Sequence, residues 1–361
     1  MTRKLPATTT SIFILSCLLV AIPANATPTS HDVPDLSGTY DSGTLTPLER
    51  PEFLGETRHM YKWIADLFGW AANFVLEWTA QSESDPDREA PPVGGDGSGQ
   101  GFGAGNVGGY NTFWIDPGAN AFEIDGMYRT SIIIDPADGR MPKRTPKGVA
   151  KMTDNFSSFS HENTGTAWWL EEGGPGPYDG PEDLALAERC LLGFSAGPPM
   201  LPGLYNNFKR IIQTEHHIMI LLEMVHDARI IRLDSEHAPQ DQRFWLGDSI
   251  GWWEDDTLVV DTTNFREDTG LYGGDENLHL VEWFSRLENG DLLYHFTVDD
   301  PTAWEAPWSG EYSWRNTDDK VFEYACHEGN YAMGNILRGA RLLERETLEG
   351  SDEAAGAGAG K

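Results

Sequence analysis

The sequence predicts a mainly β protein, an antiparallel barrel or sandwich strung as a meander, with a long N-terminal helix and a short C-terminal helix. Two observations predict it. Short apolar runs crowd the second half of the chain: FKRIIQT, HIMILLEMV, ARIIRLD, SIGWWE, TLVVDTTNF, HLVEWFSRL, LLYHFTVDD, EYSWRN and KVFEYAC. Turn signals such as Glu-Asp-Asp-Thr, Glu-Asn-Gly-Asp and Asn-Thr-Asp-Asp-Lys separate them at regular intervals, and no helical pattern intervenes.

At 361 residues the chain can bury a sizeable core. Residues 1–26 read as a signal peptide, with Arg3 and Lys4 ahead of the apolar run Ile12–Ile22 and Ala24-Asn25-Ala26 as the cleavage site. A lipoprotein reading would use Cys17, but Leu15 and the early position speak against it. The expectation is an exported protein, periplasmic or secreted, without an integral membrane segment in its mature chain. Residues 27–345 are expected to form one β-rich domain, and 346–361, ending in SDEAAGAGAGK, a disordered tail.

Between about residues 56 and 81 the apolar residues Met60, Trp63, Ile64, Leu67, Trp70, Ala71, Phe74, Val75 and Trp78 share one helical face. Such a face predicts a helix docked on the domain; an aromatic lid or a membrane-touching helix is the alternative. The glycine-rich stretch 93–109 contains a formal G-x-G-x-x-G at Gly103, Gly105 and Gly108. A dinucleotide site needs a strand before it and a helix after it, whereas polar loop precedes this one and the strand-like YNTFWIDPG follows. A flexible loop explains the glycines. SIIIDPADGR is a short strand closed by a turn. Ser157–Gly203 is irregular apart from a short helix-like PEDLALAERCLLG, and a terminal helix is expected near Tyr331–Glu346.

With 57 acidic against 26 basic residues, the formal charge is −31. That field repels phosphate backbones and anionic lipid, so nucleic-acid binding is not expected. Once Cys17 leaves with the leader, Cys190 and Cys326 remain, and an even pair in an oxidising compartment predicts a disulfide. A catalytic thiol has less support, because AERCLLG offers no activating histidine.

DLSGTY, YNTFWIDPG, RTSIIIDPADGR, AERC, RIIQT, the E-x-x-H-x-x-R of Glu223–Arg229, RLDSEH, WLGDSIGWWEDDTLVVDTTNF, VEWFSR, TVDDP and YACHEGN together cover most of the chain from Asp35 to Arg341. As a set they resemble a family of exported bacterial proteins to which no reaction is attached. The chain departs from that family at Glu254-Asp255-Asp256, where Glu-Gly-Asp is usual, and in the aromatic segment after Glu56. The resemblance implies fold and export, and it carries over no catalytic residue.

Asp255 and Asp256 sit where a hairpin must turn, so their carboxylates read as turn chemistry. Polar residues inside strands say more, because an unpaired buried charge is costly. Glu223 lies among apolar neighbours in HIMILLEMVH, with Arg229 and Arg232 on the next strand as expected partners; a structural Glu–Arg bridge and an acid–base role both fit. His226, His237 and the pair Asp248-Ser249 complete the candidate catalytic set of Glu223, His226, Arg229, His237, Asp248 and Ser249. In LLYHFTVDD, Leu292, Tyr294, Phe296 and Val298 point one way and His295, Thr297 and Asp299 the other, as in a barrel around a partly polar cavity or in a half-exposed sheet. Histidine spacings, including His216-His217, HENTG at His161 and CHEGN at His327, match no metal motif, so neither metal nor cofactor is expected.

The functional expectation is a cofactor-independent enzyme using acid–base catalysis on a small, largely apolar substrate, of hydrolase, dehydratase (lyase) or isomerase type. Thirteen tryptophans would line its pocket. The alternative is a lipocalin-like binding protein holding a small apolar or amphipathic ligand in the same cavity without chemistry. An envelope-interaction protein is a third reading. The sequence leaves the oligomeric state open.

Overall fold

Alternating apolar runs joined by tight turns pair with their neighbours, and here they pair until the sheet meets itself. The computed structural model describes residues 33–80, 116–160, 165–173, 175–193, 197–267 and 271–358. The expected leader, the glycine-rich stretch 93–109 and His161 lie outside them.

In chain order the elements are β1 (Gly38–Asp41), β2 (His59–Met60), α1 (Lys62–Ala80), β3 (Glu123–Ile124), β4 (Met127–Arg129), β5 (Ile133–Asp135), α2 (Pro146–Ser160) and α3 (Trp169–Glu172). The dense strands follow: β6 (Phe208–Gln213), β7 (His217–Leu222), β8 (Ala228–Leu233), β9 (Asp248–Glu254), β10 (Thr257–Thr263), β11 (His279–Arg286), β12 (Leu292–Asp299) and β13 (Trp308–Thr317). Helices α4 (Cys326–Gly329) and α5 (Tyr331–Gly358) end the described chain.

Strands β1 and β6 to β13 form a closed nine-stranded barrel. The order is β1-β6-β7-β8-β9-β10-β11-β12-β13, and β13 pairs back onto β1 through Thr39↔Thr317 and Asp41↔Arg315. Strand β5 adds to the edge of β13, and β2, β4 and β3 make a separate small sheet. Closure leaves the nine strands without a free edge. One pairing departs from the expected antiparallel pattern: β8 and β9 are parallel, with Ile231 opposite Ser249. The chain must therefore travel back along the barrel between them, and residues 234–247 make that return.

Side-chain alternation sorts the wall. Along β12, Leu292, Tyr294, Phe296 and Val298 are fully buried while the residues between them are half-buried. The interior they face is filled by Phe284, Tyr294, Phe296, Trp308, Tyr312 and Trp314, whose rings pack against one another, together with buried Tyr40. The close fit needs Gly310, because a Cβ there would overlap the Phe296 ring opposite it. These positions form a packed core.

Cys190 and Cys326 are joined in a disulfide across 136 residues of sequence.

Several local expectations are corrected. The helix docked through an aromatic face is not what forms. In α1, Trp63 and Trp70 are 67% and 65% exposed, with Leu67 and Phe74 also out; among residues 62–74 the buried positions are Ala65 and Gly69. Periodicity shows that a helix has two faces, whereas packing depth decides which one fits. The small residues allow the close approach, with Gly69 against Asn120. PEDLALAERCLLG is a short 3-10 turn at Pro181–Asp183 followed by turns, KVFEYAC is not a strand, α2 lies partly in the segment expected to be irregular, and α5 runs to Gly358 instead of closing near Glu346. At the Trp252–Val259 hairpin, Asp255 adopts a left-handed φ of 50°, as the turn reading requires.

Candidate functional site

Consecutive strand residues face opposite sides, so each barrel strand contributes one set of polar groups inward and another outward. The two sets have different chemistry.

Inward, Arg229 makes two bonds to Glu282, one of 2.8 Å from Nη1 to Oε1 and a second from Nη2 to Oε2. Its remaining donors reach Ser249 Oγ at 3.1 Å and Thr262 Oγ1 at 2.8 Å. Tyr294 donates to Glu282 Oε1 at 2.6 Å and accepts from the Met200 N–H at 3.1 Å. Every one of these side chains is buried, and burial next to the Glu282 carboxylate drives the Tyr294 hydroxyl well above its ordinary pKa. The network is satisfied and closed to water, which defines a structural role. Toward Ser42 the interior also holds Lys209, which donates to Ser42 Oγ and lies 5.2 Å from the Trp314 ring centroid. Burial pushes its ammonium down to about 7, with Asp41 and Glu223 partly opposing.

The expected Glu223–His226 pair does not form. Glu223 is buried at the end of β7 and accepts the Phe322 N–H at 3.0 Å, whereas His226 is exposed. Strand β7 stops at Leu222, and Val225 and His226 turn with φ of 59° and 47°. Even in a continuous strand, residues three apart would face opposite sides. The expected Glu223–arginine bridge is replaced as well, since Arg229 takes Glu282 and Arg232 takes Asp248. Ser249 points inward, so it cannot share a substrate with Asp248 beside it.

Outward, five side chains from four strands and one loop join in a row. Arg232 grips Asp248 through both guanidinium ends, at 2.6 and 3.2 Å. His237 bridges two carboxylates, Nδ1 2.9 Å from Asp248 Oδ2 and Nε2 2.9 Å from Asp261 Oδ1. Both contacts are hydrogen bonds only when the ring carries a hydrogen on each nitrogen. The other oxygen of Asp261 lies 2.8 Å from His279 Nε2. Asp261 sits opposite Val281, so His279 is its diagonal neighbour on the next strand.

The return loop supplies His237 and is stitched down on both sides. The Asp234 N–H bonds Gly251 O, the Phe244 N–H bonds Asn264 O, and the Asn264 amide bonds Ala238 O, each at 2.9 Å. Gly247, at φ 72°, turns the loop into β9 where a Cβ would strike Phe265 and Thr262.

The electrostatics follow from this geometry. Burial would raise Asp248, but the bonds from Arg232, the Ala238 N–H and His237 outweigh it and hold the carboxyl at about 2. Asp261 is likewise lowered: burial raises it, and the bonds from His279 and His237 overcome that. The hydrogen bond to Asp261 raises His279 above its ordinary value against a smaller desolvation effect. The His279 side chain is 43% exposed, and among the described residues its Nδ1 takes no hydrogen bond. An imidazole fixed by a carboxylate through one nitrogen, with the other open to solvent, is the arrangement of an oriented general acid or base.

An open depression of about 580 Å³ is lined by Lys151, Arg243, Arg266, Glu267 and Glu276. Arg243 lies on the His237 loop, Arg266 follows Asp261 in the chain, and Glu276 precedes His279. Among the described residues, no three His, Cys, Asp or Glu side chains converge to hold a metal, and no helix is long and apolar enough to cross a membrane.

Of the sequence candidates, the structure unites His237 and Asp248 and separates Glu223, His226, Arg229 and Ser249 from them. Sequence reasoning missed His279 and Glu282. Each is one polar residue in an alternating strand, and only the barrel register reveals its partner. The only sequence trace was Asp261 in TLVVDTTNF.

These features define a class: a closed, side-chain-filled β-barrel with an imidazole–carboxylate chain on its outer wall. Compared with known proteins, the chain matches no family model and no curated relative, so the site is read from its own geometry.

Proposed function

We propose that the protein is an acid–base enzyme, of hydrolase, lyase or isomerase type, in which His279 Nδ1 exchanges the proton with substrate. The observation that supports this is the ordered chain Arg232–Asp248–His237–Asp261–His279 ending in one open ring nitrogen. Asp261 holds the His279 ring through Nε2 and stabilises the imidazolium formed when Nδ1 takes a proton. His237, Asp248 and Arg232 fix Asp261 from behind and are positioning residues. A pKa raised above that of free histidine suits proton exchange near neutral pH. The charged and imidazole groups of the chain itself favour a small substrate with polar groups over a largely apolar one. The disulfide supports an oxidising compartment, periplasmic or extracellular.

The test pairs a titration with an activity screen. NMR titration of the imidazole C–H signals, with His279→Gln to assign its resonance, should place His279 above 6.5 and lower it in Asp261→Asn. Small carbonyl compounds in D₂O and p-nitrophenyl esters would be screened for proton exchange and hydrolysis. Activity that disappears in His279→Gln, with a cooperative thermal melt retained, supports the proposal. A His279 that titrates at or below 6.5, or activity that His279→Gln leaves intact, overturns it.

A further inference from the structure

Helix α1 has two usable faces, and the domain takes only one of them. At 3.6 residues per turn, Ala65 and Gly69 lie toward the domain, and both are buried. Trp63, Leu67, Trp70 and Phe74 lie on the other side, within about 60° of arc. They are 67%, 55%, 65% and 56% exposed. Trp70 and Phe74 stack with ring centroids 5.8 Å apart, which makes the stripe a continuous ridge. Apolar side chains exposed singly are ordinary on a protein surface, but four aligned on one helix mark an interaction surface.

The spacing says what kind of partner fits. Steps of four, three and four residues are the d-a-d-a repeat of a coiled-coil seam, the narrow stripe that one helix presents to another. Ile64, Asp66, Ala71 and Asn73 flank the seam, and Asp66 is the one charge among them. Lys62 pairs with it at 2.7 Å. Two copies of the stripe can therefore meet without forcing unpaired like charges together, although each chain carries a formal −31.

A lipid surface fits less well. Helices that lie on membranes have a broad apolar face and a basic polar one, whereas α1 has a narrow ridge and Lys62 as its one basic residue. The area also suits a pair of helices. With about 150–250 Å² to bury per aromatic side chain, four large side chains more than half exposed leave on the order of 500 Å² open. Two copies would together cover about 1,000 Å², where specific interfaces begin. Because Ala65 and Gly69 already hold α1 against the domain, the seam need not nucleate the helix and can be short.

We infer that α1 pairs with α1 of a second copy of this chain, with Trp63, Leu67, Trp70 and Phe74 interlocking with the same residues of the partner across a two-fold axis. Phe68, 51% exposed, points about a third of a turn away and takes no part. The pairing needs nothing from the His279 chain, so the two readings stand or fall separately.

Sedimentation equilibrium of the purified protein over a wide concentration range tests it. A reversible monomer–dimer equilibrium is expected. It should tighten with added salt, which screens the repulsion between two acidic chains and leaves apolar contacts intact. Trp70→Glu should weaken the dimer at least tenfold and Trp63→Ser several-fold, while Phe68→Ser and His279→Gln leave it unchanged. Trp63, Phe68 and Trp70 are exposed in the single chain, so these variants should keep cooperative thermal melts. A monomer at every concentration, an association that salt weakens, or wild-type affinity in both Trp70→Glu and Trp63→Ser would overturn the inference. So would an equal loss in Phe68→Ser or His279→Gln, or a chain that stays monomeric in solution and binds only phosphatidylcholine vesicles.

Discussion

Asp248 and Ser249 are neighbours in the chain, yet one belongs to the outer imidazole–carboxylate chain and the other to the sealed interior network. Asp261 and Thr262 divide in the same way. The two regions share strands and a charge-pairing logic, and water separates their roles. Inside, Arg229 and Glu282 satisfy one another with 1% and 0% side-chain exposure, so neither can meet a substrate. Outside, the chain ends on a ring that solvent reaches. The same pairing that stabilises the interior becomes available for chemistry where the wall faces outward.

The largest expected effect breaks the interior. Glu282→Gln strips the counter-charge from buried Arg229 and should cost about 3–5 kcal/mol in chemical denaturation. The double replacement Arg229→Met with Glu282→Leu should cost less than that single change, because no unpaired charge remains. If Glu282→Gln costs as little as an exposed pair, the interior network is not the structural element described here. Next, replacing both Cys190 and Cys326 by Ala should cost about 2–5 kcal/mol, read as a lower denaturation midpoint.

A third prediction separates interior pairing from interior burial. Lys209 is pushed down to about 7 without forming an ion pair among the described residues. Between pH 7 and its ordinary 10.5 the unfolded chain binds a proton there that the folded chain does not, so stability rises with pH across that window. Lys209→Met should remove this slope and raise stability most at neutral pH. A slope that survives the substitution would refute the assignment.

The smallest effects fall on the outer chain, where pairs are partly solvated and contribute roughly 0–1 kcal/mol each. Asp248 is depressed, so its contribution is present above 3.8 and is lost as pH falls toward 2. His279 is raised, so its contribution is complete below 6.5 and is lost as pH rises through its elevated pKa. The outer chain is therefore tightest between about pH 4 and 6.5. Asp248→Asn should flatten the acid limb of a stability–pH curve, and His279→Gln the limb above 6.5. Unchanged limbs would show that the row carries no linked charge.

How much could be read beforehand differs by element. The strands of β6 to β12 stand where period-two patterning and turn residues put them, because alternation is a local property that a folded sheet merely uses. The disulfide was legible from the two cysteines, Cys190 and Cys326, that remain once Cys17 is assigned to the expected leader. α1 was misread, since a helical stripe of Trp63, Leu67, Trp70 and Phe74 does not say whether the core has room for it, and Ala65 and Gly69 fit more closely. Glu223 was rightly picked as a buried charge and wrongly partnered, because sequence nearness to Arg229 says nothing about register.

The sequence by itself determined a β-rich chain, its acidic charge and two members of the outer row, His237 and Asp248, since composition and alternation are written residue by residue. Tertiary structure alone decided that the sheet closes through β13 and β1, that β8 and β9 run parallel, and that His279 meets Asp261. Those three outcomes rest on which strands lie side by side and in which register, a choice made by the whole barrel at once. A carboxylate becomes the orienting partner of an imidazole only when that choice sets the two within 2.8 Å.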